Sequence, residues 1–107
     1  MQRYGMVIRL RPECLDEYKR LHEAVWPEVL KTITQCHIRN YSIYRKEDLL
    51  FSYFEYHGED FAADMARMAV DEKTQQWWAL CKPCMAPFET RGEGEWWAQM
   101  EEWFHHD

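Results

Sequence analysis

Tyr18 and His22 lie one helical turn apart in the run Tyr18-Lys-Arg-Leu-His22-Glu-Ala-Val-Trp26-Pro27-Glu28, and a helical period places both rings on one face. That face is apolar. Cys14, Leu15, Tyr18, Leu21, His22 and Val25 follow the i, i+3, i+4, i+7 spacing of a buried stripe, which directs the imidazole inward or into a cleft. An imidazole, with an ordinary pKa of about 6.5, both gives and takes a proton near neutrality, as a general acid/base must. The competing reading is a core histidine held by a single hydrogen bond.

Trp77 and Trp78 are neighbours on an expected helix, so they project about 100 degrees apart and cannot share one core face. At least one should edge a pocket or an interface. An indole is a flat platform for the C–H face of a sugar ring, with an N–H free for a hydroxyl; the alternative is packing in the core and an interface. Tyr41 and Tyr44 fall on opposite faces of a strand, with Tyr41 sharing its face with Arg39 and Ile43.

Cys81-Lys-Pro-Cys84 has the spacing of a redox or metal pair, but it closes a helix instead of opening one, so no helix N-terminus lowers a thiol pKa. It supplies two ligands only, and Cys14 and Cys36 do not form a second pair. Two partly buried thiols are expected, and no metal site. His105 and His106 are adjacent, so on a regular strand they point opposite ways and cannot chelate one ion. The phosphate-loop, dinucleotide-binding, nucleophile-elbow and zinc-protease motifs are missing, which removes the commoner nucleotide and hydrolase classes.

The elements that position these residues follow from periodicity. Tyr4 to Leu10 alternate as a strand, and a helix starts near Glu13 or Cys14. Pro27 cannot sit inside an unbroken helix, so a kink is expected at Val25 to Trp26 and a second helical segment from Pro27 to about Gln35. His37 to Arg45 and Leu49 to Tyr56 read as a hairpin joined by Lys46-Glu47-Asp48. Phe61, Met65, Met68 and Ala69 mark a short helix, and Asp71 caps another that runs through Cys81. Trp96 to Asp107 alternate as a final strand. The order β-α-β-β-α-β is the ferredoxin-like pattern of an α+β fold.

At 107 residues the chain suits a single domain over residues 1–107. A formal charge of −6 opposes binding to nucleic acid or anionic lipid. No leader peptide or membrane span is legible, so a soluble cytoplasmic protein with reduced cysteines is expected. One sheet face lacks a helical cover, and the aromatic residues on these strands predict a homodimer packed sheet to sheet.

Glu17-Tyr18, His22-x-x-x-Trp26-Pro27-Glu28, Asn40-Tyr41-Ser-Ile-Tyr44, Leu49-Leu50-Phe51, Gln76-Trp77-Trp78 and Met85 together resemble the L-rhamnose mutarotase family in order, spacing and chain length. The resemblance covers nearly the whole chain. It implies a dimeric α+β barrel, no cofactor and no metal, and exchange between the α and β anomers of a 6-deoxy-L-sugar. It also implies His22 as the proton donor and Tyr18, Tyr41, Trp77 and Trp78 as substrate contacts. Phe88 to Trp97 and the ending Trp103-Phe104-His105-His106-Asp107 depart from the bacterial rhamnose enzymes, which leaves L-fucose as an alternative sugar. On the proposed chemistry His22 protonates the ring oxygen, Tyr18 holds or shares that hydrogen bond, and the base is one of Tyr41, Glu102 and His105. Other readings of the fold are a cofactor-free monooxygenase, a haem-binding barrel and a non-catalytic sugar-binding module.

Overall fold

A computed structural model describes all 107 residues. Strand β1 (Gln2–Leu10) is followed by a tight turn over Pro12–Cys14 and by helices α1 (Leu15–His22) and α2 (Pro27–Gln35). Pro27 occupies the first turn of α2, where its missing N–H costs nothing, and the chain breaks between the helices as its ring requires. Strands β2 (Ile38–Lys46) and β3 (Leu49–Tyr56) form the hairpin. Helices α3 (Phe61–Ala69) and α4 (Glu72–Cys81) each begin at an aspartate: Asp60 accepts from the Ala63 N–H, and Asp71 from the N–H and hydroxyl of Thr74.

The sheet is antiparallel in the order β2-β3-β1-β4, where β4 is Met85–Ala86, and β5 (Ala98–Met100) also pairs with β1. The ferredoxin-like order is therefore present with its closing strand divided. Met85 and Ala86 sit opposite Leu10 and Arg9, while Ala98, Gln99 and Met100 sit opposite Val7, Met6 and Gly5. The long final strand expected over Trp96 to Asp107 is thus corrected to three residues, and Glu101 to Asp107 are exposed. The expected strand carries Gln99 and Glu101 on one side and Glu102 on the other, so neither face gains enough burial to hold it. An ion pair from Arg3 Nε to Glu102 at 3.0 Å still runs along β1 past the last paired residue.

Helices cover one face only. Ile8, Leu10, Leu50 and Met85 from the sheet meet Tyr18 and Leu21 of α1, Val29 of α2 and Trp77 and Cys81 of α4 in a single buried cluster. The opposite face carries Val7, Phe51, Tyr53 and Met100, and no helix packs on it. No helix is long and apolar enough to cross a membrane.

A bulge in β2 corrects the face assigned to Tyr41. Arg39 pairs with Glu55 but Ser42 pairs with Tyr53, so one extra residue is accommodated there. Asn40 takes it up with φ of 50°, a left-handed conformation asparagine tolerates, and its side-chain amide donates to Glu55 Oε1 at 2.8 Å. Strict alternation would put Tyr41 with Arg39. With the bulge, Tyr41 and Ile43 turn to the helix-covered face alongside Ile38, and Arg39 stays on the other with Glu55.

Candidate active site

Helix α1 delivers Tyr18 and His22 to the interior side by side. Their rings stack with centroids 4.1 Å apart and planes 24° apart. The imidazole is fixed by the backbone of the preceding turn: His22 Nδ1 donates to the Tyr18 carbonyl at 2.9 Å. A carbonyl only accepts, so Nδ1 carries the proton and the neutral ring keeps its lone pair on Nε2. Burial lowers the His22 pKa, against a smaller opposing effect of that backbone bond. The ring at rest near neutrality is therefore a base with one free nitrogen.

Trp77 closes the side of this pair. Its ring meets His22 edge-on at 5.3 Å and Trp26 edge-on at the same distance, and it is only 5 % exposed. Trp78 projects about 100 degrees further around α4. It lies against Lys82, whose ammonium is 5.2 Å from the Trp78 ring and 5.1 Å from that of Trp96. The indole pair is thus divided: one ring touches the imidazole and the other looks toward the segment before β5.

Two phenols complete the arrangement. Tyr18 is 5 % exposed, and its desolvated hydroxyl has a strongly raised pKa, with Tyr41, Cys81 and Cys84 adding to the shift. Tyr41 approaches from the sheet. Its ring is 43 % exposed and rests edge-on against Phe54 at 5.6 Å, while desolvation, with Cys81 as the lesser cause, pushes its hydroxyl up to about 12. Both phenols stay protonated and can donate, and they are close enough for the charge on one to affect the other.

Of the residues singled out in the sequence, Tyr18, His22 and Trp77 are in contact, Tyr41 stands on the helix-covered sheet face against Phe54, and Trp78 is the next residue along α4. Cys81 and Cys84 are buried, and desolvation pushes their thiols up to about 12 and about 11. Thiolate chemistry is disfavoured there. His105 lies at the exposed C-terminal end, where its Nε2 is 2.8 Å from Asp107 Oδ1. Glu102 is bound to Arg3. Neither is among the groups around His22.

Trp26, Lys82 and Trp96 are the neighbours that residue-by-residue reading missed. Lys82 was within reach, since it stands one helical turn after Trp78, the spacing at which a cation meets an aromatic ring.

A family model described as L-rhamnose mutarotase matches residues 3–106. An L-rhamnose mutarotase from Oceanobacillus iheyensis is 32 % identical over 87 residues, covering 79 % of this chain and 81 % of the relative. Among solved structures, an L-rhamnose mutarotase from Formosa agariphila superimposes with a TM-score of 0.78 at 20 % identity, covering all of both chains. Tetracenomycin F2 cyclase from Streptomyces glaucescens follows at 0.74 and 14 % identity, over 100 % of this chain and 98 % of that one. Its different chemistry on the same fold shows that side chains, not architecture, must identify the reaction.

Proposed function

The chain belongs to the L-rhamnose mutarotase family, whose members are isomerases, and on that premise we propose that it interconverts the α and β anomers of L-rhamnose by proton transfer at His22. The observation that carries the reading is the imidazole itself. It is stacked on Tyr18, bounded by Trp77, fixed through Nδ1 and neutral at rest, with Nε2 the nitrogen left to react.

Anomer exchange needs a proton removed from the anomeric hydroxyl and one supplied to the ring oxygen. The ring then opens to the aldehyde, the C1–C2 bond rotates, and the ring closes on the other face. Because resting His22 is neutral, it first takes the anomeric proton at Nε2, and the resulting imidazolium is the donor when the hydroxyl is re-formed. The ring oxygen takes a proton from a phenol as its bond to C1 breaks; Tyr41, still protonated, gives that proton and takes it back from the new hydroxyl when the ring closes. This ordering differs from one in which His22 protonates the ring oxygen at the outset, and it follows from the direction of the His22 pKa shift.

Trp77 and Trp78 supply apolar surface for the ring C–H face and the 6-methyl group, and Tyr18 lines the base of the site. The bare sheet face, with Val7, Phe51, Tyr53 and Met100, supports a homodimer packed sheet to sheet, and Trp103 and Phe104, 90 % and 84 % exposed, offer further apolar surface beyond β5. The test is the anomer exchange rate of L-rhamnose, L-fucose and a hexose control by saturation-transfer NMR with purified protein. Acceleration of L-rhamnose above the other two supports the proposal, and no acceleration of any sugar refutes it.

A further inference from the structure

Beside Lys82 lies a groove of about 520 Å³ between the end of α4 and the segment before β5. We infer that this groove is a second pyranose subsite, so that the enzyme accepts a reducing disaccharide with its 6-deoxy ring at His22 and its second ring beside Trp96. The inference rests on anomer exchange at His22 and adds a ligand class to it.

The walls carry both kinds of hydrogen-bonding group. Lys82 and Arg91 present donors, Glu89 and Glu93 present acceptors, and Trp96 adds an indole. A phosphate or carboxylate ligand would meet the two glutamates, and a cationic one would meet the lysine and arginine. A neutral ring bearing several hydroxyls uses both sets, and an indole is the surface on which such a ring rests.

The groove is also held in shape. Glu95 Oε1 accepts from the Gly92 N–H at 2.8 Å and the Gln99 N–H at 3.3 Å, Arg91 Nη1 donates to the Phe88 carbonyl at 2.9 Å, and Gly94 turns the chain with φ of 78°.

Two observations join it to the monosaccharide site. The Lys82 ammonium lies between the rings of Trp78 and Trp96, so the platform expected for the first sugar and the indole of the groove flank one cation. Trp96 Nε1 is enclosed and has no acceptor in the chain, an unmatched donor that a ligand oxygen satisfies once the ring turns it toward the groove. Trp77 meets His22, and Trp78 meets Lys82 at the edge of the groove. In the proposed complex the sugar has its anomeric carbon at the imidazole and its opposite end, the end that carries a further glycosyl group, toward Lys82 and Trp96.

The experiment compares L-rhamnose with 4-O-β-D-glucopyranosyl-L-rhamnose in saturation-transfer NMR. The disaccharide is expected to exchange anomers with a KM roughly tenfold lower, corresponding to one well-placed stacking or hydrogen-bonding contact. Trp96→Phe, which keeps a ring against Lys82 and deletes the N–H, is expected to raise the disaccharide KM about fivefold while leaving kcat and the L-rhamnose KM unchanged. Glu93→Ala, in the exposed segment, provides the same comparison without removing a bond that shapes the groove. A disaccharide KM equal to or above that of L-rhamnose overturns the inference, as does a change of equal size for both sugars in both variants. Failure of the wild-type protein to exchange L-rhamnose itself would instead refute the activity proposed for His22.

Discussion

Replacing His22 by alanine separates proton transfer from stability, because the contacts that the ring makes set the size of each effect. The variant loses the stack on Tyr18 at 4.1 Å and the edge contact with Trp77 at 5.3 Å, worth together about 2 kcal/mol from typical aromatic pair energies. The Tyr18 carbonyl keeps its place in the helix, so no buried acceptor is stranded. For a domain of this size that loss lowers Tm by about 10 °C, against a typical total stability of about 5–15 kcal/mol, and the protein remains folded at 25 °C. Loss of a general acid/base lowers the rate by a factor of about 100 or more, equivalent to about 2.7 kcal/mol in the barrier. Saturation-transfer NMR at matched protein concentration measures the exchange, and circular dichroism with a thermal scan measures the fold. A folded variant with wild-type exchange would show that the imidazole is only a packing residue.

The pH profile gives the direction of proton flow. Burial holds the His22 pKa below its ordinary value, and the neutral ring is the active base. The rate should be at its plateau above about 6.5 and fall as the pH drops through the lowered pKa; a rate that instead falls as pH rises through neutrality would make the imidazolium the required starting form. Asn40→Val places a β-branched residue at φ of 50° and removes the bond to Glu55. It should cost about 1–2 kcal/mol in urea unfolding and, by shifting Tyr41, lower kcat by about tenfold or more. An unchanged kcat would remove Tyr41 from the reaction. Gly58→Ala puts a methyl group 2.7 Å from Asp64 Oδ2 and against the Tyr56 hydroxyl, which already donates to Asp64 at 2.5 Å. Overpacking of that kind costs about 1–3 kcal/mol, read as a lower urea midpoint with exchange kinetics intact.

The α1–α2 break at Pro27, the β2–β3 hairpin and the aspartate cap at position 71 were legible in the sequence, because each is dictated locally by a proline ring, a polar joint or a side-chain acceptor. The pairing of Tyr18 with His22 was legible for the same reason, since both sit on one helix. What escaped depends on contacts remote in sequence. The Asn40 bulge arises from pairing with β3, and period-two alternation has no means of registering an inserted residue. The final strand was overestimated at both ends: Met85–Ala86 already holds the β1 edge at Arg9 and Leu10, and beyond Met100 alternation does not reveal that neither face gains burial. The separate surroundings of Trp77 and Trp78 followed from helical geometry, but their partners, His22 for one and Lys82 with Trp96 for the other, required the tertiary fold.

The edge of β1 has two short partners where one long strand would fit, and residues 87–97 hang between them without a ladder of their own. Insertions or deletions in that span leave every strand register intact. The imidazole resides on a helix that such changes never touch, so descendants of this chain can acquire new ligand preferences by altering loop length alone while the proton chemistry is inherited unaltered.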